Sequence, residues 1–333
     1  MTVDALVTDL VEAGAGRLEA VIRTEMPGSA DRALRWLRGL TGSGRLADYF
    51  LHPTRFPMVR LPVWAIEAEA PSHRALVGDT IYSTMAGYYH IRLLDDVMDR
   101  MPEAPLELLP LAGLFHLEFQ SAYQPHFPAD SPFWSVFRTR WLRLADWTVP
   151  RPAGTAADGT APRPEGDGVL GTALPTDPDA GEALLERAGA TVGAVVIPLR
   201  ALTLGVGAPD RFVRWEPVVL ALARVEQWID DVVDWQQDLD RGQPNLLLAA
   251  GATRARPGEA TAVWVVREGY RWGLATARAR LDELEPAARS LASAPLAAFL
   301  DRRRAALAAL MARTEAGLDQ LAALARSFPT SSA

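Results

Sequence analysis

The chain has 333 residues, of which 49% are hydrophobic and 23% charged, with a formal net charge of −7 and no cysteine. That much apolar material excludes disorder over the whole length, and the lack of a basic excess argues against nucleic acid as a partner. Without thiols there are no disulfides, no thiolate catalysis and no cysteine-ligated metals.

The opening residues include Asp4, Asp9, Glu12 and Glu19. They lack a basic segment followed by an apolar run, so they do not read as a signal peptide, and a cytoplasmic location is the expectation. Leu6, Leu10 and Val11 recur at helical spacing, as do Leu307, Leu310 and Met311 at the far end, while period-two patterns and hairpin dipeptides are scarce. The spacing therefore predicts an all-α chain.

A first acidic helix is expected from Pro71-Ser72, with Ser72 as its cap, through Tyr88, Tyr89 and Ile91 to Leu93-Leu94-Asp95-Asp96-Val97-Met98-Asp99, ending near Pro102. On a helix Asp95 and Asp99 stand one turn apart with Asp96 beside them, and like charges at this spacing repel by roughly 0.2–0.5 kcal/mol per pair. From Thr148 to Ala180 the composition turns to Pro, Gly, Ala, Thr and Asp, which reads as a flexible loop over 148–180 inserted between core helices. The most apolar stretch, Thr191–Ala208, is interrupted by Pro198 and Arg200. It reads as a buried, kinked helix rather than a transmembrane segment.

A second acidic helix is expected from Pro217 to Gly242 and Pro244, carrying Asp230, Asp234 and Asp238 as a stripe with Gln227 one turn earlier. Large apolar residues surround both acidic strings: Leu93, Leu94, Val97 and Met98 in one, and Trp228, Ile229, Val232, Val233 and Trp235 in the other. Carboxylates in such surroundings need a cation. Arginine pairing would supply it in a structural ion network. Oxygen ligands without nearby histidine or cysteine instead suit magnesium, and a solvated acidic face is the third alternative. All 34 basic side chains are arginine, so an anion site must use guanidinium forks, backbone amides or metal ions.

These two strings, LLDDVMD at 93–99 and QWIDDVVD at 227–234, resemble the aspartate-rich motifs of the class I isoprenoid synthases. In another register Asp230, Asp234 and Asp238 are similar to the second metal triad of terpene cyclases, with Asp in place of Asn, Ser/Thr and Glu. The resemblance implies one helical domain over 1–333 with a central active-site cavity. It also implies catalytic metal ligands at Asp95, Asp96, Asp99, Asp230, Asp234 and Asp238, holding three magnesium ions together with a prenyl diphosphate.

Arg187, in Arg187-Ala188-Gly189-Ala190-Thr191-Val192-Gly193, looks like the family's diphosphate-contacting arginine, and Arg241 is positioned to reach the same anion; Arg200 reads as structural. Gln227 and Tyr88 are further substrate-binding candidates, and Tyr88, Tyr89, Trp228 and Trp235 offer aromatic faces to a carbocation. The Gly-Lys-Arg stretch and the Arg-Arg-Gly of the elongating enzymes do not occur, since Asp99 is followed by Arg100-Met101-Pro102. The expectation is therefore a terpene synthase that ionises and cyclises one linear allylic diphosphate. A prenyltransferase, either chain-elongating or of the squalene/phytoene coupling type, is the alternative, and a catalytically silent helical subunit is a third. Prenyl chain length is not legible from spacing, and pairing into a homodimer stays open.

Overall fold

Residues 2–98, 106–148, 193–243 and 245–327 are described by a computed structural model, and every regular element among them is helical. Helix α1 (Val3–Glu25) begins where the Thr2 hydroxyl accepts a hydrogen bond from Ala5 N at 3.3 Å, with Asp4 in its first turn and Arg23 in its last, both matching the helix dipole. Its buried residues Leu6, Val7, Leu10, Val11, Leu18 and Ile22 form one stripe. Three shorter helices follow: α2 (Ala30–Gly39), α3 (Leu46–Leu51) and α4 (Arg60–Trp64). A 3-10 turn over Ala70–His73 leads into α5 (Arg74–Met98), and then come α6 (Leu109–Ser121), α7 (Pro132–Thr148) and α8 (Gly193–Gly205). The remainder comprises α9 (Pro209–Val233), α10 (Trp235–Arg241), α11 (Leu246–Arg254), α12 (Thr261–Trp264), a π-turn at Val265–Gly269, α13 (Tyr270–Ser290) and α14 (Ala294–Ser327).

The described residues divide into two compact units, each discontinuous in sequence: those within 2–148, 193–223 and 290–296 form one, and those within 224–289 and 297–327 the other. The first acidic segment belongs to the former and the second to the latter. At the centre of the first unit lies α5, buried round most of its circumference by Leu76, Val77, Ile81, Tyr82, Met85, Tyr89 and Leu93, and packed on α6, α1 and α8. Its approach to α6 is close because residue 87 is glycine: a Cβ there would stand 3.0 Å from Phe119 Cδ2. One turn away, the buried Ser83 hydroxyl donates to Phe119 O at 2.7 Å, so this contact leaves no polar group stranded.

In the second unit, Trp228 donates its indole N–H to Gly273 O at 2.8 Å, and a Cβ on Gly273 would lie 2.7 Å from Val232 Cγ2. Trp264 is fully enclosed. Its ring fits between Gly251 and Gly269, where added Cβ atoms would come within 2.8 and 2.6 Å of it. Here the glycines make room for aromatic bulk, which by itself stabilises by roughly 1.5–3 kcal/mol per buried large side chain.

Two sequence expectations about boundaries change. The first acidic helix starts at Arg74, and the Ser72 hydroxyl donates to Glu69 O at 2.8 Å instead of capping. The second starts at Pro209, with Pro217 inside it. Pro217 removes the donor that would meet Val213 O, but both residues are exposed, so water replaces that bond. Of the 148–180 segment only Thr148 is described, as the last residue of α7; 149–180 lies outside the described residues. Among the described residues no helix is long and apolar enough to cross a membrane.

Candidate functional site

The C-terminal half of α5 carries the first acidic string, of which Asp99 lies outside the described residues. Asp95 and Asp96 point to different environments because neighbours on a helix are about 100° apart. Asp95 is half-buried, whereas Asp96 is 3% exposed. The Asp96 carboxylate accepts the indole N–H of Trp36 at 3.2 Å and pairs with Arg92 Nε at 2.9 Å. Burial works to lower the Arg92 pKa, but attraction to Asp96 and, further down, Asp95 prevails and raises it. Asp96 is thus neutralised from within.

Beneath it is an aromatic cluster. Tyr88 stacks on Tyr49 with ring centres 4.6 Å apart and meets Phe50 and Tyr89 edge-on at 5.6 and 5.4 Å. Burial first, and then the neighbouring Tyr49, keep the Tyr88 phenol far above its ordinary pKa, so it remains neutral. Tyr89 is fully buried, and its hydroxyl has no hydrogen-bond partner among the described residues.

The second acidic string occupies the end of α9, the break at Asp234 and the whole of α10. Asp234 is the N-cap residue of α10 and leaves the helical region (φ −95°, ψ 8°), and Gly242 closes the helix in the left-handed region (φ 66°). Again the second carboxylate of the pair turns inward. Asp231 accepts Gln227 Nε2 and the backbone N–H of Leu246, each at 2.7 Å. Asn245, itself 0% exposed, donates to both Asp231 O and Asp238 Oδ2 at 2.7 Å, while its own oxygen caps α11 by accepting Leu248 N at 3.0 Å. One amide therefore ties the ends of α9, α10 and α11 together.

The outward partner, Asp230, keeps contact with solvent, yet protein crowds it enough that loss of hydration is the main cause raising its carboxyl to about 7. Repulsion from Glu226, Asp234 and Asp231 adds to the effect, and Arg303 opposes it. For Asp231, raised to about 6, burial again leads; the Leu246 N–H and Gln227 oppose it, and Asp238 and Asp234 reinforce it. Arg303 on α14 is already committed, because it grips Glu226 in a two-point pair with Nε 2.7 Å from Oε1. Even so, burial holds the Glu226 carboxyl above its ordinary value. The end of α9 thus gathers Glu226, Asp230, Asp231 and Asp234, while Arg303 is paired with Glu226.

Other expected site residues fall as follows. Gln227 is spent on Asp231. Arg241 is exposed in the last turn of α10, and Arg187 lies outside the described residues. Trp228 is a core residue, edge-on to Trp272 at 5.5 Å. Arg200 lies over the Phe212 ring at 5.1 Å, a packing role. Outside that set, Arg304 on α14 pairs with Glu285, Asp282 and Asp301. Among the described residues no three carboxylate or imidazole side chains converge as a preformed metal cluster.

Sequence reasoning missed Trp36, Asn245 and the Glu226–Arg303 pair. Asn245 had a local signal, an Asn directly before the apolar run Leu246–Leu248, as an N-cap should be. Trp36 had none. Arg224, on the same α9 face two turns before Asp231, has a buried Nε without a hydrogen-bond partner among the described residues and is a further anion-binding candidate. No protein-family model matches the chain, and no curated protein is similar to it in sequence.

Proposed function

We propose that the chain is a class I terpene synthase that ionises a linear prenyl diphosphate and cyclises the resulting cation. The observation that carries this reading is the acidic cluster at the end of α9, where the solvent-accessible Asp230 neighbours Glu226, Asp231 and Asp234 while Arg303, the guanidinium that opposes their repulsion, is committed to Glu226; crowding and these like charges raise the Asp230 carboxyl. Such a group is stabilised by a divalent cation arriving from solution. The donor set fits magnesium, which takes one or two carboxylates and completes its shell with water and substrate phosphate, so a preformed three-ligand cluster is not required.

Asp230 and Asp234 would hold an ion at the second segment and Asp95 would contribute to one at the first, while Asp96 and Asp231 act as anchors that fix the helix ends. Bound magnesium supplies charge stabilisation to the departing diphosphate. Arg241 and Arg224 are the guanidiniums this chain offers near the second segment for the same anion. The neutral, half-buried Tyr88 offers an aromatic face without a nucleophilic phenolate, which suits protection of a carbocation. A cytoplasmic setting belongs to the same reading.

A catalytically silent helical subunit is the second reading, favoured by the internal engagement of both Asp96 and Asp231. Incubation of the full chain with magnesium and geranyl, farnesyl or geranylgeranyl diphosphate, with and without isopentenyl diphosphate, decides. Cyclic hydrocarbon or alcohol from a single diphosphate is expected, abolished separately by Asp230→Asn and Asp95→Asn. A longer diphosphate formed only with isopentenyl diphosphate would make the chain a prenyltransferase. No turnover together with no joint binding of magnesium and pyrophosphate would leave the silent role.

A further inference from the structure

Between α6 and α7, within the first unit, lies an open cavity of about 650 Å³ that neither acidic string lines among the described residues. Its size falls in the range of roughly 300–1,000 Å³ typical of small-molecule sites. Phe127, Trp134, Phe137 and Trp141 form the apolar walls. These rings are held in place before any ligand arrives. Trp134 Nε1 donates to Phe127 O and Pro128 O at 3.3 and 3.0 Å, and Phe137 and Trp141 pack on the buried Phe119 with ring centres 4.9 and 4.7 Å away.

The polar lining is of one electrostatic kind. His116, Gln120 and Gln124 come from α6 and the turn after it, Arg138 comes from α7, and among the described residues no Asp or Glu lines the cavity. Among the described residues the side chains of Gln120, Gln124 and Arg138 make no hydrogen bond or ion pair. The contrast with Arg140 is informative: two residues further along α7, it is paired with Glu216. In a chain with a net charge of −7, a guanidinium left unpaired beside two amide donors and a ring-lined cavity marks a place for an anion. His116 stacks on Trp141 with centres 5.4 Å apart, extending the apolar wall.

We propose that this cavity binds a small amphipathic organic acid, with an apolar body between the aromatic walls and a single carboxylate held by Arg138 and the Gln120 and Gln124 amides. The inference stands independently of the diphosphate chemistry, because no residue is shared. Calorimetric titration of the full chain with 2-naphthoate, decanoate and the neutral 2-naphthamide tests it. At least one acid is expected to bind at one site with Kd of about 1 mM or tighter, and the amide at least about tenfold more weakly. Binding of 2-naphthoate alone selects a ring-shaped body, and of decanoate alone a chain. Arg138 and Gln120 are exposed, so Arg138→Gln and Gln120→Glu should leave the thermal midpoint unchanged while each weakens the acid by about tenfold. Failure of both acids to bind, equal affinity for the amide, or an affinity that neither variant changes would overturn the proposal.

Discussion

Replacing Asn245 by alanine should strongly destabilise the second unit at its acidic helix end. Asn245 is 0% exposed and makes three side-chain hydrogen bonds: from Leu248 N, to Asp231 O and to Asp238 Oδ2. Loss of the helix cap costs about 1 kcal/mol. The buried Asp231 carbonyl, left with one donor fewer, costs about 1 kcal/mol, and the bond to the Asp238 carboxylate about 1.5 kcal/mol, at the low end for a charged acceptor because Asp238 is half-buried. The sum is about 3–4 kcal/mol, readable by urea denaturation, with loss of hydrogen-exchange protection at the Leu248 amide as its local signature. Asn245→Asp separates the donor role from the cap role. It keeps the acceptor for Leu248 but sets a third carboxylate beside Asp231 and Asp238, so at pH 7.5 it should be at least as harmful as Asn245→Ala and should recover partly at pH 5. A loss below about 1 kcal/mol for Asn245→Ala, or wild-type stability of Asn245→Asp at pH 7.5, would refute the tie between the three helix ends.

Further expectations follow from the same geometry. Asp230 and Asp231 have folded-state pKa values raised to about 7 and about 6, so between pH 4 and 7 the folded chain holds more protons than the unfolded one, and their contribution to stability is lost as pH rises through that window. For the buried Asp231, moving from an ordinary 3.8 to about 6 is worth on the order of 3 kcal/mol. His90 and His116, lowered by burial, slope the opposite way near pH 6, so the readout is the difference in pH dependence between wild type and Asp231→Asn in chelator; parallel profiles would refute it. Arg303→Met should cost about 3–5 kcal/mol by stranding Glu226, with most of it regained in the Glu226→Gln, Arg303→Met double variant; an additive double-mutant cycle over these two substitutions would deny the pair its role. Gly87→Ala should lower the thermal midpoint although helix propensity alone favours alanine by about 1 kcal/mol, because its Cβ meets the Phe119 ring at 3.0 Å and overpacking costs about 1–3 kcal/mol.

The helical character of the chain was legible because burial follows the three- and four-residue spacing that the sequence displays, as in the Leu6 to Ile22 stripe of α1. The carboxylates of both acidic strings were legible as groups that needed partners. Which partner each would take was not. Trp36 lies 60 residues from Asp96, and Asn245 lies 14 residues from Asp231 beyond a turn, so neither hydrogen bond leaves a periodic trace. Pro217, the expected start of the second acidic helix, lies inside α9 although a proline removes a backbone donor. That loss matters only where water cannot reach, and here it can.

A common pattern nevertheless runs through the two strings, and it sharpens what the doubled aspartate does. In Asp95-Asp96 and again in Asp230-Asp231 the second carboxylate turns inward and is held by an N–H from elsewhere in its own unit, the Trp36 indole in one case and the Leu246 amide in the other. The first carboxylate of each pair stays nearer to solvent. Since adjacent residues on a helix are about 100° apart, anchoring the second fixes the direction of the first. A carboxylate aimed in this way loses little further freedom on binding a cation, which is the economy that preorganised ligands provide. By this argument Asp96→Asn and Asp231→Asn should retain ion binding weakened by misalignment, whereas Asp95→Asn and Asp230→Asn remove a donor outright. If calorimetry with magnesium and pyrophosphate finds the inward pair more damaging than the outward pair, the division of labour is reversed.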